Sequence, residues 1–147
     1  MGNFKFSIII SAYNAELWIR KSINSIIKQS LDFEENTEII LINEGSKDKT
    51  DEICKKYASS YPNNIKYISK RYEGKGISRN LGLEYAKGEY VSFLDADDYI
   101  SDNALKRVFG VFQKNRNINI VTINSKLYAS SIKESTLKSK YASTREI

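Results

Sequence analysis

The sequence predicts an α/β fold in which a mostly parallel central sheet is covered by helices on both faces. Two observations predict it. Short, continuous apolar runs, typical of strands buried on both faces, recur along the chain. Between them lie longer segments whose apolar residues repeat every three to four positions, as on one side of a helix. Strands and helices that alternate in this way form βαβ units with right-handed crossovers, which produce a parallel sheet.

The first strand is predicted over the β-branched run from Phe6 to Ser11. After Asn14 the apolar period changes to that of a helix, which is expected to end near Gln29. The stripe that predicts this helix consists of isoleucines, namely Ile19, Ile23, Ile26 and Ile27.

The second strand is predicted over Glu38 to Ile42 and the third over Ile65 to Ile68. Between them lies a second helix, which Pro62 ends because proline cannot continue the hydrogen-bond ladder. The apolar stripe of this helix is Ile53, Cys54, Tyr57, Ala58 and Tyr61.

The fourth strand is predicted over Tyr90 to Leu94. A third helix precedes this strand, and Gly88 ends the helix. Ser101 is expected to cap a fourth helix, and Ile118 to Ile123 predicts a fifth strand. The stripes are Ile77, Leu81 and Tyr85 in the third helix, and Leu105, Val108, Phe109 and Phe112 in the fourth.

This alternation predicts one domain over residues 1–124, followed over 125–147 by a polar, basic tail. A chain of 147 residues can bury roughly 68% of its unfolded surface, so it needs no disulfide or structural metal. Residues 125–147 hold five lysines and arginines and two glutamates, a net charge of +3, and they lack an apolar period. We therefore expect little packed core there.

Composition excludes several classes of function. The chain has no histidine, which removes Ser-His-Asp and Cys-His catalysis and any histidine-ligated zinc. It also lacks a P-loop motif and any apolar run near the roughly 20 residues of a membrane span. Cys54 is expected to be inert core. The net charge of +5 comes without interleaved aromatic and basic residues, so no nucleic-acid partner is predicted.

Polar residues cluster where the predicted strands end, and ligands of parallel α/β sheets bind at that edge. One such cluster is Asp95-Ala96-Asp97-Asp98, directly after the fourth strand. Carboxylates packed this closely repel one another unless a cation lies between them, and their hard oxygens suit Mg²⁺ or Mn²⁺. The alternative is a solvated turn in which Asp98 or Ser101 caps the next helix.

Three other segments lie at this edge, and each has a structural alternative. The segment from Gly74 to Gly82 is not a dinucleotide fingerprint, because it lacks the third glycine. It predicts instead a loop that leads into a helix, and the backbone amides of the first helical turn, together with Arg79, could bind a nucleotide or a carboxylate. The alternative is a surface helix with a free arginine. Glu44 could accept a hydrogen bond from a base or ribose, or Ser46 or Asp48 could simply cap a helix. Tyr13 could stack on a base, or it could be a packing residue like the other tyrosines.

In combination, these segments resemble family 2 glycosyltransferases of the GT-A fold, a Rossmann-like sandwich, over roughly residues 5 to 114. Motifs in a fixed order are more specific than any one of them. The motifs are Ser7-Ile8-Ile9-Ile10-Ser11-Ala12-Tyr13-Asn14, Gly45-Ser46-Lys47-Asp48-Lys49-Thr50, Gly76-Ile77-Ser78-Arg79-Asn80-Leu81-Gly82 with Ala86-Lys87-Gly88-Glu89-Tyr90, and Phe93-Leu94-Asp95-Ala96-Asp97-Asp98.

The resemblance implies a site for a nucleotide-diphosphate sugar, most simply a UDP-sugar. It implies that Ser11 and Tyr13 line the pocket for the nucleobase and ribose. Glu44 would hydrogen-bond the base, and Arg79 would lie near the donor nucleotide.

It also implies that Asp95 and Asp97 form a DxD element that holds Mn²⁺ or Mg²⁺, with Asp97 as metal ligand and Asp95 as a ribose or metal partner. The cation would neutralise the leaving diphosphate, and transfer would invert the anomeric centre. The catalytic base, an Asp or Glu that deprotonates the acceptor hydroxyl, is expected beyond residue 147.

The resemblance extends to partners and location. The acceptor would be a glycan or a lipid-linked glycan in bacterial surface-polysaccharide synthesis. The protein is expected to be cytoplasmic. Its basic end could contact acidic lipid at the inner face of the membrane, where lipid-linked acceptors lie, but a solvated tail is the favoured alternative. Domain 1–124 would then be incomplete at its C-terminal side, and 125–147 would be either the tail described above or the start of the acceptor-binding part.

Two departures from the family pattern keep a second function open. Asn43-Glu44 stands where the family usually has two aspartates, and Ala12 stands where proline is common. The alternative function is a non-catalytic nucleotide-binding or interaction module derived from the same fold.

Overall fold

The computed structural model describes residues 4–123, and within them four parallel strands form one sheet in the order β3-β2-β1-β4. The strands are β1 (Phe6–Ala12), β2 (Thr37–Asn43), β3 (Ile65–Ser69) and β4 (Tyr90–Asp95). The helices are α1 (Ile19–Ile27), α2 (Phe33–Asn36), α3 (Thr50–Ser60), α4 (Lys75–Tyr85) and α5 (Ala104–Lys114). The predicted fold class is confirmed.

The strand order reverses at β1. The chain passes from β1 to β2 and β3 on one side and then returns to place β4 on the other side of β1. Right-handed crossovers that run in opposite directions put their helices on opposite faces. Accordingly Ile23 of α1 packs with Ile8 in one core cluster, whereas Leu81 of α4 packs with Ile9 in a second cluster on the other face.

The two central strands are buried along their whole length, as their continuous apolar runs predict. Ile19, Ile23 and Ile26 of α1 are 0% exposed, so the isoleucine stripe is the face that packs on the sheet. Burying one such side chain contributes about 1.5–3 kcal/mol. The three isoleucines pack in one core cluster with apolar residues of β1 and β2.

Helix α4 packs on a face that shares only Leu81 with its predicted apolar stripe. Ile77 is 52% exposed and Tyr85 is 40% exposed, whereas Ser78 and Gly82 are buried. A Cβ at Gly82 would lie 2.4 Å from Cγ2 of Ile9. The missing side chain at Gly82 therefore lets α4 approach β1 closely, so that Leu81 of the predicted stripe still packs on the sheet while Ile77 and Tyr85 face outward.

The start of α5 also differs from the prediction. The helix follows Asn103, and no side chain caps it there, so Ser101 is not its cap. Instead the buried Gln29 side chain reaches across from the end of α1. Its Oε1 accepts from the Leu105 amide at 3.0 Å, and its Nε2 donates to the Ser101 carbonyl at 2.9 Å. A glutamine from a distant helix satisfies the backbone groups that a local cap normally would.

The short helix α2 was not predicted, since four residues are too few to show a helical period. Asp32 begins it by accepting hydrogen bonds from the amides of Glu34 and Glu35.

The predicted fifth strand over residues 118–123 is wrong, because this segment has no strand structure. Ile120 is 80% exposed and Ile123 is 60% exposed. An apolar β-branched run becomes a strand only where a neighbouring strand pairs with it and covers its side chains. The predicted tail over 125–147 lies outside the described residues. Within 4–123, no helix is both long and apolar enough to cross a membrane.

Two loops at the carboxyl ends of β1 and β2 are tied together by hydrogen bonds. The amide of Asn14 donates to Ser46 Oγ at 3.0 Å, and Asn14 Oδ1 accepts from the amide of Lys47 at 2.9 Å. Next to them, the Ala15 amide donates to Thr50 Oγ1 at 2.8 Å. The polar residues of the 45–50 motif therefore fix one loop against the other.

Asp48 completes this linkage and accepts from the first amide of α3, although Lys49 occupies the N-cap position that one of the sequence alternatives gave to Asp48. Its Oδ1 accepts from the Thr50 amide at 3.0 Å, and its Oδ2 accepts from the Glu16 amide at 3.0 Å. Partial burial raises the pKa of Asp48, but the hydrogen bonds from Thr50 and Glu16 outweigh it and hold the pKa below its ordinary value.

A second polar network joins the amino ends of the strands. Ser7 Oγ donates to Oε1 of the buried Glu38 at 2.6 Å, and the Lys87 amide donates to the same oxygen at 2.5 Å. The Gly88 amide donates to Ser7 Oγ at 2.7 Å. A Cβ at Gly88 would lie 2.5 Å from the Ser7 nitrogen and 2.6 Å from the Phe6 carbonyl carbon. Only glycine fits where the chain enters β4.

We expect Gly88→Ala to lower the free energy of unfolding by about 2–3 kcal/mol, because the added methyl meets rigid backbone rather than a flexible side chain. Gly110→Ala is the matched control, since a Cβ there meets nothing within 4 Å. Removing glycine from the interior of α5 should stabilise the protein by up to about 1 kcal/mol. Urea unfolding followed by circular dichroism measures both. Equal effects of the two variants would contradict the close approach at Gly88.

We expect Asp48→Asn to destabilise the protein by about 1 kcal/mol at neutral pH, because an amide cannot accept at both positions. A carboxyl whose pKa is lowered in the folded protein stabilises it above the unfolded pKa, here 3.8, and this contribution disappears as the pH falls through the folded pKa. The stability difference between wild type and variant should therefore be constant above about pH 5 and shrink below pH 4. Unfolding curves measured from pH 3 to 7 test this, and a difference independent of pH would refute it.

Candidate functional site

The reversal of strand order places a crevice beyond the carboxyl ends of β1 and β4. In open parallel sheets, ligands bind at this kind of switch point, because the flanking loops diverge to opposite faces. Ser11, which is 5% exposed, lies beside Asp95 in the register of β1 and β4. Two residues that the sequence assigned to one site are therefore neighbours in the sheet.

Asp95, Asp97 and Asp98 form an acidic turn at this edge. One carboxylate oxygen from each lies within 4.8 Å of the other two, and the Asp98 amide donates to the Asp95 carbonyl at 2.9 Å. Partial burial raises the pKa of Asp98, and the negative charges of Asp97 and Asp95 raise it further. Opposite ligands of a Mg²⁺ ion lie about 4.2 Å apart, so this group of hard oxygens fits a small divalent cation.

Two cations from the start of α4 reach the same turn. Lys75 Nζ lies 3.0 Å from Asp95 Oδ2, and Arg79 Nη2 lies 3.1 Å from Asp95 Oδ1. The Arg79 guanidinium also lies 5.4 Å from the centre of the Phe93 ring. The Asp95 carboxylate is thus paired on both oxygens, while Asp97 and Asp98 are exposed.

Glu44 lies beneath this start of α4 and is only 2% exposed. Ser78 donates its hydroxyl to Glu44 Oε1, and the Glu44 amide donates to the Ala12 carbonyl at 2.9 Å. The carboxylate therefore links β2 to the first turns of α4, the segment that carries Lys75 and Arg79.

An exposed aromatic pair stands at the mouth of the crevice. The ring centres of Tyr13 and Tyr72 lie 5.0 Å apart at an interplanar angle of 49°. The residues are 47% and 62% exposed. Exposed aromatic faces next to polar groups can stack a planar ring. Tyr72 was not singled out from the sequence, although it lies just before the segment from Gly74 to Gly82 that was expected at this edge.

The structure thus brings together Asp95, Asp97 and Arg79, with Ser11 alongside. Glu44 does not contact this group directly, but it accepts a hydrogen bond from Ser78, which precedes Arg79 in α4. Sequence reasoning missed Lys75, Ser78 and Tyr72, and the position of Lys75 between two glycines was the available signal.

Cys54 lies away from this site. It is 1% exposed, and burial raises its pKa to about 12, with Asp51 and Asp48 contributing. It is therefore inert core, as predicted.

Comparison with known proteins identifies close sequence relatives. The family model described as "Glycosyl transferase family 2" matches residues 7–144. The minor teichoic acid biosynthesis protein GgaB of Bacillus subtilis (strain 168) is 43% identical over 144 residues, which is 97% of this chain and 16% of GgaB. The minor teichoic acid biosynthesis protein GgaA of the same organism is 42% identical over 120 residues, which is 80% of this chain and 27% of GgaA.

Solved structures share the fold. The crystal structure of S. aureus TarS 1-349 in complex with UDP-GlcNAc superposes with a TM-score of 0.70 at 34% identity, covering 77% of this chain and 32% of that one. The complex of TarS 1-349 with UDP matches equally well, with a TM-score of 0.70.

The chain spans less than a third of the length of GgaB and GgaA. The match of the family model nevertheless runs through all the elements that form the crevice. This chain belongs to glycosyl transferase family 2.

Proposed function

We propose that this chain is the donor-binding part of a glycosyltransferase that takes a UDP-linked sugar together with Mn²⁺ or Mg²⁺. The observation that carries the proposal is the acidic turn of Asp95, Asp97 and Asp98, in which one oxygen from each residue lies within 4.8 Å of the other two, at the switch point of the sheet.

The nucleotide would lie along the carboxyl end of β1. Ser11 and Tyr13 line this end, and the Tyr13–Tyr72 pair offers exposed aromatic surface for the base. The diphosphate would then extend toward Arg79, whose guanidinium can pair with phosphate oxygens in a bidentate manner. The TarS 1-349 complexes with UDP and UDP-GlcNAc support a UDP-linked donor, because TarS shares the fold at 34% identity.

Glu44 would reach the base only through the part of its carboxylate that Ser78 does not use. Glu44 would also orient the start of α4, because its buried carboxylate accepts the hydrogen bond from Ser78.

Asp97 and Asp95 would hold the divalent cation, with Asp98 beside them. When bound, the cation would stabilise the negative charge that develops on the leaving diphosphate. The residues of this chain orient the donor. Arg79 is held against Phe93 and Asp95, so its charge is already in place when the diphosphate arrives.

The acceptor in this proposal is a glycan or a lipid-linked glycan of a bacterial surface polymer. The two B. subtilis relatives, both described as minor teichoic acid biosynthesis proteins, support this class. The proposal places the reaction in the cytoplasm at the inner face of the membrane. It assigns the base that deprotonates the acceptor to the part of the longer relatives that this chain does not span.

We expect calorimetric titration of the chain with UDP to show binding that Mn²⁺ strengthens. Asp97→Asn should weaken the Mn²⁺-dependent affinity by about tenfold or more, because it removes an anionic oxygen ligand. Asp102→Asn, the same change at an exposed aspartate outside the cluster, should leave binding within about twofold of wild type. Failure of the folded wild type to bind UDP, or unchanged binding by Asp97→Asn, would disprove the proposal.

Tyr13→Ala should weaken UDP binding by about tenfold, since stacking of a base on an aromatic ring contributes about 1–3 kcal/mol. Tyr13→Phe keeps the ring and should bind like wild type. The same titration in the presence of Mn²⁺ measures both variants. Equal losses in the alanine and phenylalanine variants would show that the hydroxyl, not the ring, makes the contact.

A further inference from the structure

The Asp95 carboxylate is already paired on both oxygens. Lys75 Nζ lies 3.0 Å from Oδ2, and Arg79 Nη2 lies 3.1 Å from Oδ1. A cation shared by Asp95 and Asp97 needs one of these oxygens. Each oxygen keeps a free lone pair, but a metal ion on either one would lie close to the positive charge of Lys75 or Arg79, and this repulsion favours the departure of one of the two side chains.

The two cations differ in how firmly they are held. Arg79 is one turn inside α4, and its planar guanidinium lies 5.4 Å from the centre of the Phe93 ring. The Lys75 side chain is 57% exposed, against 40% for Arg79. A lysine ammonium is a point charge on a flexible stem, and an exposed ion pair of this kind contributes at most about 1 kcal/mol. Lys75 is the partner that can leave.

The position of Lys75 in its helix also favours its release. Lys75 is the first residue of α4, where the helix dipole is unfavourable for a positive charge. Asp95 offsets this repulsion at present. A diphosphate beside the start of α4 would offset it as well, because it brings negative charge to the same place.

We propose that Lys75 is an exchangeable counter-ion, which holds Asp95 Oδ2 in the free protein and moves to the donor diphosphate when the metal takes that oxygen. This inference rests on the proposed function for the metal and the donor. It adds that Lys75 couples the two ligands. A metal ion alone is repelled by the Lys75 ammonium, which has no other partner to move to, whereas metal and nucleotide together provide one.

The coupling is reciprocal, so UDP tightens metal binding by the same factor by which the metal tightens UDP binding. The test measures Mn²⁺ binding through the electron paramagnetic resonance signal of free Mn²⁺, with and without saturating UDP. It uses the whole chain as wild type, Lys75→Met, Lys75→Arg and Lys56→Met. Lys56 is an exposed lysine of α3, on the other face of the sheet, and Lys56→Met makes the same change of charge.

Without UDP, Lys75→Met should bind Mn²⁺ about fivefold more tightly than wild type, because one nearby positive charge and one competitor are gone. Lys56→Met and Lys75→Arg should stay within about twofold of wild type, since the first is remote and the second keeps the charge. The factor by which UDP tightens Mn²⁺ binding should fall by about fivefold in Lys75→Met alone. Circular dichroism confirms that each variant is folded.

The outcomes separate this inference from the function on which it rests. If Lys75→Met and Lys56→Met bind Mn²⁺ alike without UDP, or if Lys75→Met binds more weakly, the counter-ion role is wrong while the donor site stands. If UDP tightens Mn²⁺ binding equally in wild type and Lys75→Met, the coupling role is wrong. If no variant binds Mn²⁺ even with UDP present, the proposed function and this inference both fail.

Discussion

The structure depends on the double pairing of β1. This strand is hydrogen-bonded to β2 on one side and to β4 on the other, and all of its side chains are buried. Burial on both faces requires a cover on each, which α1 provides on one and α4 on the other. The loops at its carboxyl end diverge toward these two layers. A crevice at this end is therefore a consequence of the strand order, before any functional side chain is considered.

The close packing of α4 converts this topology into a charged site. Because Gly82 has no side chain, α4 lies directly on Ile9, and its first turns project over the ends of the strands. Lys75 and Arg79 then reach Asp95 of the neighbouring β4. The three carboxylates of the acidic turn and these two cations carry a formal charge of −3 + 2 = −1. A divalent cation would change this to +1, so in the proposed function the metal turns a site that repels a diphosphate into one that attracts it.

The sequence predicts well what depends on continuous or periodic burial, and poorly what depends on partners far along the chain. The apolar runs identified all four strands, and the reason is burial on both faces for β1 and β2, whereas β3 and β4, at the edges of the sheet, are only partly buried. The face of α4 was predicted only in part, because a glycine and a serine meet the sheet beside Leu81, while the other two residues of the stripe do not. The segment 118–123 has the composition of a strand, but strand formation needs a partner that composition cannot supply. Acidic residues adjacent in sequence were found, whereas Lys75, 20 positions from Asp95, was not.

The unusual pair Asn43-Glu44 illustrates how local partners account for a departure from a family pattern. Asn43 Nδ2 donates to Asp51 Oδ1 at 3.1 Å, and its Oδ1 accepts from the Ser46 amide at 3.1 Å. Hydrogen bonds from Lys55 first, and then from Tyr67 and Asn43, lower the pKa of Asp51, so this partner is held as a carboxylate.

An aspartate at position 43 would face the Asp51 carboxylate at hydrogen-bond distance, and the two charges would repel. The amide donates there instead, while its oxygen still accepts at the turn. At position 44, the longer glutamate carries its carboxylate to Ser78 of α4. Both replacements are thus satisfied by contacts within the fold. Glu44 holds α4 through Ser78, and the same helix places Lys75 and Arg79 against Asp95 of the acidic turn. This departure from the family pattern is therefore connected to the candidate donor site through α4.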